Sequence, residues 1–254
     1  MAQTFTTLYR FSELSGAPLT NSDGRRPWTG LIMSSNILFG TANQGGSFIY
    51  GTVFAVKTDG SEFRTLHSFT EPNSTNNDGA WPQSKLTIEG NILFGTAYGG
   101  GLGGWGTVFK VNTDGSGFTN LHSFAAGIDT NSDGFGPQSG LVLSGNILYG
   151  TASQGGSSGS GTIFAVNTNG TGFTVLYHFT KMSGSYPNLT NSDGALPASG
   201  LILSGDTLYG TAYQGGRFGN GTVFAINTNG IGFSNLYNFT KTFHSHPVAE
   251  LEGD

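Results

Sequence analysis

Short apolar runs alternate with polar and glycine-rich turns along the whole chain. The run ILFGTA beginning at residue 37 follows one turn, and the later run GTVFAVK ends in Asp59-Gly60. Asp-Gly and Asn-Gly pairs supply the positive φ angles that tight hairpin turns need. The pattern therefore predicts an all-β chain of short antiparallel strands.

The same pattern occurs four times. The segment GTVFAV, which begins at Gly51, recurs with small changes at Gly106, Gly161 and Gly221. A TNxDG motif precedes each copy at one fixed spacing, so that Asn21 is as far from Gly51 as Asn131 is from Gly161. The length varies only between a preceding FxxLxxF element and TNxDG. We interpret that stretch as a surface loop and the block from TNxDG to GTVF as a rigid unit.

Each repeat contains four candidate strands. Strand A follows a proline and reads GLIMS, KLTIE, GLVLS or GLILS, strand B is ILFGTA and its relatives, strand C is GTVFAVK and its relatives, and strand D is FxxLxxF. A four-stranded antiparallel meander repeated every ~55 residues is typical of a propeller blade. We predict a β-propeller of about four blades over residues 1–240, with a C-terminal tail at 241–254.

Strand D has one copy too many. Four sets of strands A, B and C face five FxxLxxF elements, the first at Phe5–Phe11 and the last at Phe233–Phe239. Since closing the Asn229-Gly230 hairpin costs little entropy, Phe233–Phe239 should complete the last blade. Phe5–Phe11 is then a surplus outer strand along an edge, on its own ring or on a neighbouring molecule, which predicts self-association. Alternatively, the chain is part of a larger ring completed by oligomerisation.

The repeated apolar positions of strands B and C predict the core. These positions recur at fixed places, and strands of inner blades are covered on both faces. We expect burial between blades of Leu38, Leu93, Leu148, Leu208, Phe54, Phe109, Phe164 and Phe224.

Composition narrows the function classes. The net charge of −5 and the pI near 5.4 argue against nucleic acid as a partner, because such proteins carry basic surfaces. The absence of cysteine excludes disulfides, thiolate zinc sites and a Cys nucleophile. No apolar run approaches the ~20 residues of a membrane span, and MAQTFTTLYR lacks the basic and apolar regions of a signal peptide.

The composite motif DGxxP, GL, LYGTAxxGG, GTVFxxNxDG and FxxLHxF, from Phe5 to Phe239, resembles the GloVer (Gloeobacter/Verrucomicrobia) tandem repeat of bacteria. The resemblance implies a propeller-like repeat domain, usually on exported proteins with C-terminal anchors, and therefore an extracellular or cell-surface location. It implies no catalytic residues. No anchor is recognised in the present chain.

The TNxDG motif is the strongest candidate for metal chemistry. Asp129, Asn131 and Asp133 match the start of a calcium-binding loop. The other three copies lack the first carboxylate, and no Glu follows at the bidentate position. A turn in which Asn and Asp side chains bond to backbone N–H groups accounts better for the motif. We therefore expect Asp23, Asp78, Asp133 and Asp193 to accept backbone hydrogen bonds and to bind no metal.

Aromatic residues that differ between the repeats are the candidate ligand-binding residues. They fall in the B–C loops or beside the repeat prolines, on the face where the B–C and D–A loops open, and they are Trp105, Tyr98, Tyr213, Trp81 and Trp28. Exposed Trp and Tyr beside Asn, Gln and Gly suit sugar stacking and hydrogen bonding. They could equally cap the ends of the sheets.

No catalytic residue or cofactor is predicted. His67 and His122 occupy a strand D position that holds Tyr in the other copies, and the Asp residues recur with the repeat. We therefore expect a non-catalytic binding or interaction scaffold, with glycan or protein as partner. A carbohydrate-binding propeller is the first alternative, and an enzyme with its site in the central channel is the second.

Overall fold

The computed structural model describes residues 5–16, 20–72, 77–125, 131–186 and 189–240. Asp129 and the tail at 241–254 lie outside these residues. The described part contains four antiparallel sheets and no helix, so no helix there could cross a membrane. The predicted all-β fold of four blades is confirmed.

Each blade is a meander in which strands A, B, C and D pair in chain order. A bulge interrupts each C–D pair at one position, between Val53 and Phe54 in the first blade. Blade 2 has one additional short strand before strand A. Blade 1 holds β1 (Ile32–Ser34), β2 (Ile37–Ala42), β3 (Thr52–Lys57) and β4 (Arg64–Ser68); blade 2 holds β5 (Ala80–Pro82), β6 (Thr87–Glu89), β7 (Ile92–Gly99), β8 (Thr107–Asn112) and β9 (Thr119–Ser123); blade 3 holds β10 (Val142–Ser144), β11 (Ile147–Ala152), β12 (Thr162–Asn167) and β13 (Thr174–His178); blade 4 holds β14 (Ile202–Ser204), β15 (Thr207–Ala212), β16 (Thr222–Asn227) and β17 (Ser234–Asn238).

The hydrophobic core forms between successive blades. One apolar cluster joins blades 1 and 2, a second joins blades 2 and 3, and a third joins blades 3 and 4. Seven of the eight predicted core residues are buried. Leu38 is only half-buried, because it lies in the first blade and has no preceding sheet against it.

The last blade is completed as predicted, since β17 pairs with β16. Residues 5–11 differ from the expected strand, because they carry no ladder pairing in the described structure. Instead of following a sheet edge, this segment lies against the face of blade 1. The ring of Tyr9 stacks on Phe63 at 3.8 Å between centroids, and Phe11 meets Phe54 at 5.4 Å. Aromatic stacking therefore holds it where a preceding blade's strand D would lie.

Candidate functional site

A repeated carboxylate links each strand D element to the turn that follows it. Asp78 accepts hydrogen bonds from the Thr70 backbone N–H at 3.1 Å and from the Thr70 hydroxyl at 2.7 Å, and its Oδ2 lies 2.9 Å from His67 Nε2. Asp23, Asp133 and Asp193 accept equivalent backbone bonds. The prediction that these four residues accept backbone hydrogen bonds is confirmed.

The His and Tyr residues of strand D have a role that the sequence did not reveal. Tyr9 and Tyr177 donate their hydroxyls to Asp23 and Asp193, and the two His rings lie against Asp78 and Asp133. The same rings stack on a Phe of the next blade, as His67 does on Phe118 at 3.7 Å. His and Tyr are interchangeable at this position because both rings can stack on the Phe and bond to the carboxylate. In the sequence, the recurrence of a His or Tyr at the same strand D position before every TNxDG motif was the signal that could have revealed the contact.

Burial and hydrogen bonding perturb the ionisation of these groups. Burial and the hydrogen bond to Asp23 raise the pKa of Tyr9 to about 12. Burial alone would raise the pKa of Asp78, but hydrogen bonds from His67 and Thr70 outweigh it and hold that pKa below its usual range. The carboxylate form of Asp78 is therefore the form that the fold stabilises.

Asn131 and Asp133 of the candidate calcium site differ in whether their side-chain Oδ1 atoms accept hydrogen bonds. Asn131 Oδ1 accepts from Gly134 N and Gly156 N, so its carbonyl is engaged. Asp133 Oδ1 is buried and has no partner among the described residues, because Ala125 stands where the other copies have Ser or Thr. The described residues contain no group of three His, Asp or Glu side chains arranged to hold a metal. The absence of calcium binding stays a prediction.

We expect Ala125→Thr to stabilise the protein by about 1 kcal/mol, because it would supply the missing hydrogen bond to Asp133. Urea unfolding of both proteins measures the change. Thr70→Ala, at the equivalent position of the first blade, is the control and should lower stability. In thermal unfolding, millimolar calcium should leave the melting temperature of the natural protein unchanged. Equal stability of Ala125→Thr and the natural protein would contradict the first expectation.

The loop face between blades 1 and 2 holds a groove with a volume of about 480 Å³, which we name the 1–2 groove. It is lined by Leu14, Arg25, Gln44, Gly45, Ile49, Tyr50 and Trp81. Tyr50 and Trp81 meet edge to face, with 5.9 Å between ring centroids, and the Trp81 backbone N–H donates to the Tyr50 carbonyl at 2.8 Å. Two aromatic rings, a guanidinium and an amide thus line one concave surface.

The scaffold of this groove is repeated, but its side chains are not. Where blades 2 and 3 meet, the residues equivalent to Arg25, Gln44, Tyr50 and Trp81 are Ala80, Gly99, Trp105 and Gly136; where blades 3 and 4 meet, they are Phe135, Gln154, Ser160 and Leu196. The matching backbone bonds are kept, since Gly136 N donates to Trp105 O and Leu196 N to Ser160 O. Among these three described junctions, only the 1–2 groove combines a cation, an amide and two aromatic rings.

Among the described residues, a positive φ at a β-branched residue is specific to the 1–2 groove. Ile49 has a φ of 67°, whereas Gly occupies the equivalent positions 104, 159 and 219. A positive φ is uncommon for a β-branched residue, and strained residues concentrate at functional sites. The neighbouring Trp81 has a φ of 56°. Two residues of the groove therefore have backbone conformations that are disfavoured for residues with large side chains.

The other candidate aromatic residues lie elsewhere. Trp105 packs on Phe135 with 4.7 Å between ring centroids, and Gln154 Nε2 lies 3.5 Å from the Tyr98 hydroxyl, so both residues belong to the junction of blades 2 and 3. Trp28 and Tyr213 are exposed, with no ring contact among the described residues. The structure thus brings Trp81 alone of the five into the 1–2 groove, with Tyr50.

The cavity where the four A strands converge was the expected place for an enzyme site. It has a volume of about 400 Å³ and is lined by Ile32, Lys85, Leu86, Thr87, Gly140, Leu141, Gly200 and Leu201. Lys85 is the ionisable residue of this lining. The lining therefore offers one amine among aliphatic and backbone groups.

Solved structures similar to this chain are β-propellers. A chain in the crystal structure of a nidogen/laminin complex is 16% identical with a TM-score of 0.50, over 81% of this chain and 62% of that one. The GH74 enzyme of Niastella koreensis is 19% identical with a TM-score of 0.50, over 82% of this chain and 30% of the enzyme. The chain thus spans less than two thirds of either, and these identities show the fold alone.

The family comparison covers most of the repeats. No curated protein matches the chain. The model of the Gloeobacter/Verrucomicrobia repeat matches residues 1–196, which include the first three blades and the start of the fourth repeat. The motifs that carried the resemblance, from TNxDG to the strand D element, are the ones that form the blades and the junctions between them. The chain belongs to the Gloeobacter/Verrucomicrobia repeat family.

Proposed function

We propose that this propeller is a non-catalytic binding scaffold and that its ligand site is the 1–2 groove. The observation that carries the proposal is the contrast between a repeated backbone and unrepeated side chains at one junction. Function concentrates on loops that a rigid scaffold positions, and ligand sites combine an apolar wall with a few polar groups. The groove has both features.

Carbohydrate is the ligand class that the groove favours. The Tyr50 and Trp81 rings offer apolar surface for the C–H faces of a sugar, and Arg25 and Gln44 offer donors for hydroxyl or carboxylate oxygens. These groups bind and orient a ligand. The repeated Asp residues are occupied as acceptors in the junctions between strand D and the following turn. The exported location implied by the family agrees with an extracellular glycan as partner.

The experiment is a glycan array with the labelled protein, followed by calorimetry with the strongest binder. We expect Trp81→Gly to weaken that binding at least about tenfold, because the aromatic wall is lost. Gly136 occupies the equivalent position in blade 3 with a φ of 66°, so the backbone accepts glycine there.

Leu196→Gly is the matched control, because Leu196 has nearly the same φ at another junction. It should leave affinity unchanged. Binding that Trp81→Gly does not affect would contradict the groove assignment, and an array without any binding would contradict the carbohydrate class. Release of reducing sugar from the bound glycan over time would contradict the non-catalytic part of the proposal.

A further inference from the structure

One type of interface recurs inside the chain. In strand D of blades 1, 2 and 3, a Leu, a His or Tyr, and a Phe pack on the next blade. The His or Tyr ring stacks on one Phe of that blade, and the Phe ring meets another. The centroid distances are 3.5 Å for His122 on Phe173 and 5.3 Å for Phe124 on Phe164, with nearly the same values for Tyr177 on Phe233 and Phe179 on Phe224. Phe69, Phe124 and Phe179 are fully buried as a result.

Strand D of blade 4 has the same residue types, but no following blade covers them in the described structure. Leu236, Tyr237 and Phe239 are 52%, 53% and 44% exposed. The remainder of this blade face is also less covered than in blade 3, since Val223 and Tyr209 are half-buried where Ile163 and Tyr149 are buried. We name this surface the blade 4 face.

The polar groups of the interface recur there too. Thr240 follows Phe239 as Thr70 follows Phe69 and Thr180 follows Phe179. Tyr177 and Thr180 give three hydrogen bonds to Asp193. No carboxylate among the described residues accepts the corresponding bonds from Tyr237 and Thr240. The blade 4 face therefore has the hydrogen-bond donors as well as the apolar side chains of an inter-blade interface.

Blade 1 presents the complementary surface. Its Gly60, Phe63 and Phe54 are equivalent to Gly230, Phe233 and Phe224 of blade 4, which receive strand D of blade 3. The segment 5–12 covers this surface only in part. A cavity of about 390 Å³ remains between that segment and Leu31, Leu38 and Phe63. Leu31 is 43% exposed, whereas its equivalents Leu86, Leu141 and Leu201 are buried.

We propose that the blade 4 face binds blade 1 of a second copy of this chain, head to tail, and that residues 236–240 take the place of residues 8–12 of that copy. Tyr237 would stack on Phe63 of the second copy, and Tyr237 and Thr240 would donate to its Asp23. The three internal interfaces join pairs of surfaces equivalent to these two, which is why a second copy is the occupant.

Chemical cross-linking in a mixture tests the proposal. The chain has no cysteine, so engineered thiols are unique. Full-length Tyr237→Cys protein is mixed with full-length Phe63→Cys protein and treated with a short bismaleimide, because equivalent ring pairs lie 3.8 Å and 3.9 Å apart. We expect a covalent heterodimer. Tyr237→Cys mixed with Phe118→Cys is the control, since His67 already occupies Phe118 within the chain.

Sedimentation of the unmodified protein gives an independent measurement. The mean mass should rise with concentration above 26.5 kDa, and Leu236→Asp should abolish the rise. Leu236 is half exposed, so this variant should remain folded; Leu102→Asp, at an exposed apolar position in the B–C loop of blade 2, should associate normally. A mass that stays at the monomer value, association that Leu236→Asp leaves intact, or equal cross-linking in the control mixture would overturn the proposal.

Discussion

Replacing Phe124 with alanine is expected to lower the free energy of unfolding by about 3–5 kcal/mol. Phe124 is fully buried between blades 2 and 3, where its ring meets Phe164 and Phe173 at 5.3 Å and 5.9 Å. Removing it deletes apolar contacts and leaves a cavity that the rigid sheets on either side cannot close. Urea unfolding in dilute solution measures the change.

Phe239→Ala is the matched control, because Phe239 occupies the same position of strand D in blade 4. Its ring is 44% exposed, so its removal should cost less than about 1 kcal/mol at concentrations where the protein is monomeric. If the two variants lose equal stability, blade 4 is covered within the monomer. That result would contradict the exposure of the blade 4 face and, with it, the head-to-tail proposal.

Asp78→Ala should lower the free energy of unfolding by about 2–3 kcal/mol at pH 7, because it removes the acceptor of bonds from His67 and Thr70. These donors lie between strand D of blade 1 and blade 2, where water reaches them poorly. Chemical unfolding over a range of pH is the measurement. Glu89→Ala, at an exposed carboxylate outside the junctions, is the control and should change stability little.

The effect of Asp78→Ala should depend on pH in a defined direction. The folded protein holds the pKa of Asp78 below that of the unfolded chain, which is about 3.9. The stabilisation is therefore complete above pH ~4 and is lost as the pH falls through the folded pKa. The difference between the natural protein and Asp78→Ala should shrink in that acidic range. A difference that is constant from pH 7 to pH 2 would show that the carboxylate charge contributes nothing.

Repetition explains why so much of the scaffold was predictable. Contacts between residues close together in the chain determine the strand order, the Asn229-Gly230 hairpin that completes blade 4, and the backbone bonds of Asp23 and its equivalents. The local sequence signals for these contacts occur in four copies. Local sequence signals could not decide which of the aromatic residues in the loops line a groove and which pack between blades. Trp81 beside its proline and Trp105 in its B–C loop were equal candidates by sequence, but Trp105 packs on Phe135 whereas Trp81 lines the 1–2 groove with Tyr50.

The sequence by itself determined the repeat, the four-stranded blades and the core positions, because hydrophobic alternation and turn chemistry act over short distances. Only the tertiary structure decided how the two ends differ. Three features depend on how separate blades lie against one another. They are the packing of residues 5–11 on the face of blade 1, the exposure of Leu236 and Tyr237, and the lining of one groove by both Arg25 and Trp81. Contacts of that kind join residues far apart in the chain, and no local pattern records which of two equivalent faces is left uncovered.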